Sequence, residues 1–293
     1  MTTPVSLRRR ASVGSRLAQG GFRTAMLVSL FLAIGTLVAL LAQVTVNGWP
    51  RLNSQLFTAF PSSRPERAGA QSAIFGTIWV MGVVAFTCIP VGVSAAIYLE
   101  EYADRSRWYN RVIELNIQNL AAVPAIVYGI LGLAFLVRGI PKLGPTVLAA
   151  GLTLSLLVLP VVIIASREAI RAVPSSLREG SLSLGATQWQ TVSRQVVPAA
   201  LPGIATGTIL AMSRAIGEAA PLLLLGALTF VTFNPDGLDS PFTVMPVQIF
   251  NWISRPQDEF RVLAAAAIVV LLGLLLAMNA AAIWLRNHYR REW

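Results

Sequence analysis

Histidine, cysteine and lysine are almost missing from these 293 residues, with one of each: His288, Cys88 and Lys142. A single cysteine excludes an internal disulfide and any cysteine-based metal cluster. A single histidine leaves no histidine-based triad and no zinc site. The one lysine stands in Ile140-Pro141-Lys142-Leu143, which lacks the glycines and the Ser or Thr of a phosphate-binding loop. Nucleotide hydrolysis by that route is excluded, so ATP and Mg, if they drive this protein, belong to another subunit. Charge is scarce as well. Only 12% of residues are Asp, Glu, Lys or Arg, against about 25% in soluble domains. What replaces them is apolar: 55% hydrophobic residues and a mean hydropathy of +0.66. This is the composition of a membrane protein with no cofactor of its own. The net charge of +10 is dispersed between apolar runs, so it reports topology and not a nucleic-acid surface.

Six apolar runs, at 25–46, 73–99, 113–137, 146–165, 203–228 and 262–285, are each long enough to cross a hydrocarbon core of about 30 Å. The expected fold is all-α, a polytopic membrane protein with six transmembrane helices. A signal peptide would have a shorter apolar region ending at a small-residue cleavage site, so the first run is expected to stay as a helix. Pro90 predicts a kink in the second run, and Pro124 lies near the middle of the third. Between the fifth and sixth, NPDGLDSP has turn chemistry, and FTVMPVQIFNWI is expected to be partly buried or interfacial.

With six spans both termini share a side. The segments grouped with them (1–24, 100–112, 166–202 and 286–293) hold 15 arginines, whereas the opposite loops hold 7 Lys or Arg. The positive-inside rule makes the first group cytoplasmic. The expected organisation is a basic tail (1–24), a first helix with an outer loop (25–69), the main transmembrane domain (70–285) and a second basic tail (286–293).

The longest water-compatible run inside that domain lies within 166–202. Ser176-x-x-Glu179 and Thr187-x-x-Gln190 have capping-box spacing, and Gly185 is placed to end a first short helix. Pro198 is expected to stop a second, with Pro202 opening the next membrane helix. A helix–glycine–helix elbow between two spans makes a poor active site but a good knob for a partner.

Arg214 and Glu218 are the only charges well inside any span. Arg214 is eleven residues past Gly203, or about 16 Å of helix rise. An arginine at that depth costs about 2.5–3.5 kcal/mol on insertion scales, so something should use it. The pair lies one turn apart on one face, with Ser213 beside it. Gly203-x-x-x-Gly207 would let another helix approach closely. A guanidinium fork suits a tetrahedral oxyanion crossing the membrane. An ion pair that only secures helix packing is the competing reading of the same residues. A membrane-embedded transferase would need an acid–base pair or metal cluster at one membrane surface, and one histidine with one cysteine does not provide it.

Glu179, Gly185 and Pro198 have the spacing of the docking loop of ABC-transporter permease subunits, which this stretch resembles. Gly180 and Ser181 stand where two alanines are usual, and Gln195 where an isoleucine is common, but the small side chains at 180 and 181 are kept. Arg-x-x-Gly-Glu at 214–218 is similar to the oxyanion importers. Glu218-Ala219-Ala220-Pro221-Leu222-Leu223 looks like the phosphate, PstA-type version, except for Ala219 in place of a threonine. AAIYLEEYA (95–103), NLAAVPAIVYG (119–129), RAVPSSLREGSLSLGATQWQTV (171–192) and MPVQIFNW (245–252) resemble it too, with Ala125 where a serine is usual. The resemblance covers most of 70–285. It implies docking of an ATPase on Glu179, Gly185, Ala186, Thr187 and Pro198. It implies a phosphate pathway or gate at Arg214, Glu218 and Ser213, in a bacterial inner membrane. The partners it implies are a second, PstC-type permease, a PstB-type ATPase dimer carrying ATP and Mg, and an extracytoplasmic PstS-type phosphate-binding protein. The same pattern leaves sulfate, molybdate or phosphonate as alternative cargo.

Overall fold

Prolines and glycines decide where these helices bend, and where they do not. The computed structural model describes residues 13–104, 106–140, 142–227 and 230–288, without the side chains of 13–18, 285 and 288. The arginines at 8–10, 290 and 291, on which the expected orientation of the tails partly rests, lie outside the described residues. So do Leu228, where the fifth apolar run was expected to end, and the side chain of His288.

The chain forms two units, 1–47 and 48–293. The first holds almost all of α1 (Val13–Gly48), an unbroken helix without proline. Its hydroxyls bond back within the helix, Ser29 to the Ala25 carbonyl and Thr36 to that of Leu32, at 2.9 Å each. Polar groups are satisfied this way where no water is available.

The second unit begins with a short helix, α2 (Ser54–Thr58), capped by the Asn53 side chain, and then the long α3 (Gln71–Ile97). A wide turn at Tyr98–Tyr102 leads to α4 (Trp108–Ala121) and α5 (Ala125–Leu131), which a further wide turn extends to Val137. The expected straight third span is therefore corrected: α4 and α5 meet at 106°. Pro124 forces the break, because its ring has no N–H for the Leu120 carbonyl and clashes with a continuing helix. The Tyr128 hydroxyl, 2.8 Å away, donates to that released carbonyl and steadies the corner.

Next come α6 (Val147–Arg171), capped by Thr146, and the elbow helices α7 (Ser175–Ser183) and α8 (Gln188–Thr191). These are followed by α9 (Val197–Ile216), α10 (Ala220–Leu225), α11 (Met245–Ile253) and α12 (Asp258–His288). Here a second expectation fails. Pro198 stops nothing: the chain is helical from Gln188 through Ile216. A wide turn at Val192–Val196, with the Val197 N–H bonded to the Val192 carbonyl, precedes the proline. Such a turn loosens the local hydrogen-bond ladder and lets the helix pass a residue that has no N–H to give. The expected fifth span also ends early, at Ile216. Gly217 is a poor helix former, and Pro221 cannot bond the carbonyl four residues before it.

Five described helices are long and apolar enough to cross a membrane, and a sixth span results when the bent α4–α5 pair counts as one. The described residues contain no strand, only one isolated bridge between Thr146 and Pro241. The fold is all-α and polytopic.

The core runs along α3 and α6, where Val80, Val84, Leu154 and Val158 interlock, and continues into α9–α11 through Ala211, Leu222 and Val247. Lipid is as apolar as these side chains, so close contact and not water exclusion holds such helices together. Gly203 and Gly207 supply that contact. A β-carbon at either would stand 2.7 Å and 2.4 Å from the β-carbons of Ala169 and Ala165 on α6. The small-residue stripe read from the sequence thus packs α9 on α6 within the chain.

Candidate functional site

Two places concentrate charge, one at each end of the helix Gln188–Ile216. The first is the break after α9. Arg214 Nε lies 3.5 Å from Glu218 Oε1, with the side chains 49% and 21% exposed. The pair bridges the end of α9 and the residues before α10 and does not lie on one continuous helix. The Gly217 and Glu218 N–H groups turn tightly onto the Arg214 and Ala215 carbonyls, at 3.2 Å each. On α9 the exposed positions Leu210, Arg214 and Gly217 follow helical spacing. Arg214 therefore belongs to a face that the described chain leaves uncovered. Ser213 turns elsewhere: its hydroxyl is 2.7 Å from Asn279 Oδ1 on α12 and 2.8 Å from the Ile209 carbonyl. Arg214 and Glu218 are brought together, and Ser213 is committed to α12. The crevice that Glu218 lines with Thr77, Met81 and Leu222 holds about 10 Å³. That is scarcely room for one water, so this crevice is too small for an ion.

The second place is the elbow. Gly185 adopts φ +84°, and its N–H and that of Ala186 close on the Leu182 and Ser181 carbonyls, ending α7. Thr187 and Gln190 form a reciprocal capping box at the start of α8. Ser176 and Glu179 do not: Pro174 occupies the cap of α7 and no side chain bonds there. The expected first capping box is corrected. Helix formation begins at Ser175, two residues earlier than a cap at Ser176 requires, with Pro174 in the cap position. Glu179, Gly185 and Thr187 are exposed, whereas Ala186 and Pro198 are half-buried, Pro198 ten residues past the first residue of α8. The Ser181 and Thr191 hydroxyls, 2.9 Å apart, tie α7 to α8.

Sequence reasoning missed two further sets of elbow residues. Leu184 and Trp189 are 90% and 69% exposed at the tip, an apolar knob of the kind partners bury. Two large apolar side chains inside an otherwise polar run were the available signal. The other set lies behind the tip. Arg178 donates to Glu101 at 2.6–3.3 Å and to the Ile170 and Val173 carbonyls at 2.9 and 2.7 Å. Gln188 donates to the Glu101 carbonyl at 2.6 Å. Beside them Arg167 and Arg171 flank the buried Glu100, and Arg167 also reaches Glu114 on α4 at 2.9 Å. Two carboxylates just past the C-terminal end of α3 oppose the helix dipole, and arginines from α6 and α7 hold them there. Glu100-Glu101 facing three arginines some 70 residues later has no local spacing to reveal it.

Together these features define the transmembrane subunit of an ABC transporter: an all-α polytopic chain with an exposed elbow and a charged break in the following helix. The fold agrees. A bacterial alginate ABC transporter in complex with pentasaccharide-bound periplasmic protein matches with a TM-score of 0.66 at 15% identity, covering 92% of this chain and 95% of that one. The MetNI methionine transporter in an inward-facing form gives 0.58 at 18% identity, covering 74% and 92%. Residues 88–289 match the family described as binding-protein-dependent transport system inner membrane component, and the chain belongs to that family. Among its relatives, the protein named probable ABC transporter permease YqgI of Bacillus subtilis is 32% identical over 93% of this chain and 95% of its own length. The phosphate transport system permease PstA 1 of Mycobacterium tuberculosis is 32% identical over 97% and 91%. The phosphate permease PstC of Haemophilus influenzae is 30% identical over 78% of each.

Proposed function

We propose that this chain is the PstA-like half of a phosphate importer of the bacterial inner membrane, pairing with a PstC-like permease. The observation that carries the reading is Arg214: a cation in a helix break, half exposed on an uncovered face, and paired at 3.5 Å with one carboxylate. Facing a second permease, that side chain offers an anion a guanidinium which Glu218 orients but does not saturate. The similarity to PstA and PstC proteins supports phosphate as the anion. The elbow docks an ATPase dimer that binds ATP and Mg, with Leu184 and Trp189 entering the partner beside Glu179, Gly185, Ala186 and Thr187. An extracytoplasmic phosphate-binding protein delivers cargo on the other side. The distribution of arginines supports a cytoplasmic side for the elbow and both termini.

Movement imposed on the elbow reaches the membrane by two routes. One is the continuous helix from Gln188 to Ile216, which carries Arg214. The other is Arg178, which joins α7 to the ends of α3 and α6.

The test is phosphate uptake and complex yield for Arg214→Gln and for Arg214→Gln with Glu218→Gln, each assembled with the partner subunits. Both variants should assemble and neither should transport. Uptake restored in the double variant would show that Arg214 only neutralises Glu218.

A further inference from the structure

A groove of about 520 Å³ runs along the second unit between α3, α9 and α12, its walls formed by Ile89, Val93, Leu201, Ile204, Ile209 and Ala282. One charged residue lines it, Arg286. Val197 and Thr208 or Ile209 mark its ends on α9, so it extends over about 18 Å of helix. Half of a hydrocarbon core is about 15 Å. The groove is thus one leaflet deep.

Its polar end is well defined. Val197 begins α9 just after the elbow, Ser94 lies near the end of α3, and Arg286 stands in the last turn of α12. All three helices bring their elbow-side ends to the same mouth. Arg286 donates to Thr206 Oγ1 at 2.9 Å and, through two N–H groups, to Asn287 Oδ1 at 3.2 Å. These acceptors are neutral, and among the described residues no carboxylate pairs with it. A guanidinium has five N–H donors, so two remain for an anion. A second apolar groove, about 270 Å³ between Cys88, Leu136, Leu152 and Leu156, has no charged residue along it. It offers an acyl chain the same walls and a headgroup nothing.

We infer that the α3–α9–α12 groove is a binding site for an anionic phospholipid of the elbow-side leaflet, one acyl chain lying in the groove and the phosphate on Arg286. A basic residue at the mouth of a cleft between membrane helices recognises such headgroups, and the guanidinium suits phosphate by two-point hydrogen bonding. Bound there, the lipid touches α9 on the side flanking the Arg214 face and braces it against α3 and α12. No step of transport is required for binding, so the site stands or falls apart from the cargo.

The full chain is reconstituted in bilayers of phosphatidylcholine with phosphatidylglycerol, released in mild detergent, and weighed by native mass spectrometry. Phosphatidylglycerol should be retained preferentially. Arg286→Gln should lower that retention about fivefold, the factor for about 1 kcal/mol per basic residue near an anionic surface, and leave phosphatidylcholine unchanged. Arg286→Lys keeps the charge and should keep most of the preference. Leu201→Trp, filling the groove from a half-exposed position, should release both lipids. Equal retention of the two lipids by the unaltered chain overturns the proposal. Retention indifferent to Arg286→Gln, or lost equally in Arg286→Lys, does the same. So does cross-linking of a cysteine at position 209 to α1 or a second permease chain in place of lipid.

Discussion

Arg178 and Arg214 lie at opposite ends of one stretch of chain and are held in opposite ways. Arg178 reaches one carboxylate and two carbonyls, all between 2.6 and 3.3 Å, and sits behind the elbow tip. Arg214 has one ionic contact, at 3.5 Å, and a side chain half open to its surroundings. The first guanidinium is spent on joining three helices, since its hydrogen bonds satisfy a carbonyl in the last turn of α6, another just past that helix and a carboxylate in the turn after α3. The second is left with donors to spare. Within a membrane protein, how completely a cation is satisfied separates a joint from a contact point better than its depth does.

The contrast can be broken from either end. The largest loss of stability is expected for Arg178→Met, which leaves Glu101 buried without its cation: about 3 kcal/mol, at the low end for a broken buried pair. Thermal melting of the assembled complex measures it, and adding Glu101→Met should recover most of the loss. Gly185→Val comes next, at about 1–3 kcal/mol for forcing a β-branched residue to φ +84°. Nothing lies within 4 Å of the added β-carbon, so the cost is conformational. The protein should reach the membrane yet lose its hold on the ATPase, which co-purification reads directly. Arg214→Gln should cost less than about 1 kcal/mol, as exposed pairs do, while abolishing uptake. A destabilisation as large as that of Arg178→Met would erase the distinction between the two arginines.

The smallest effect belongs to Asp104, in the connector between α3 and α4. The Ser106 hydroxyl and N–H, at 2.7 and 2.9 Å, hold its carboxyl below the ordinary carboxylate value, with Arg107 helping. A depressed pKa contributes stability that is present above the unfolded value and lost as pH falls through the folded one. Ser106→Ala should therefore lower the melting temperature slightly near neutral pH. The gap to the unaltered chain should close as pH drops below about 4.

Much of this was legible in the sequence because hydropathy and caps are local. Apolar runs find the spans, although the fifth starts and ends more than ten residues before its run, and Thr187-x-x-Gln190 and Gly185 do what their spacing says. What failed was the reading of prolines. Pro124, Pro198 and Pro221 look alike in sequence, yet one turns the chain by 106°, one is passed without a break, and one helps end a helix. The differences come from neighbours: Tyr128 taking up a freed carbonyl, a wide turn ahead of Pro198, and Gly217 before Pro221. The charged joint was illegible for another reason. Its partners at 100–101, 114, 167–171 and 178 meet only through tertiary packing.

The uninterrupted helix through Pro198 has a mechanical consequence. From Gln188 at the elbow to Arg214 is 26 residues, a lever arm of about 39 Å at the usual rise per residue. A rotation of about 5° at the elbow end would carry the guanidinium sideways through about 3 Å, the length of one hydrogen bond. Had Pro198 ended the helix, that stroke would be absorbed in a hinge before it reached the membrane.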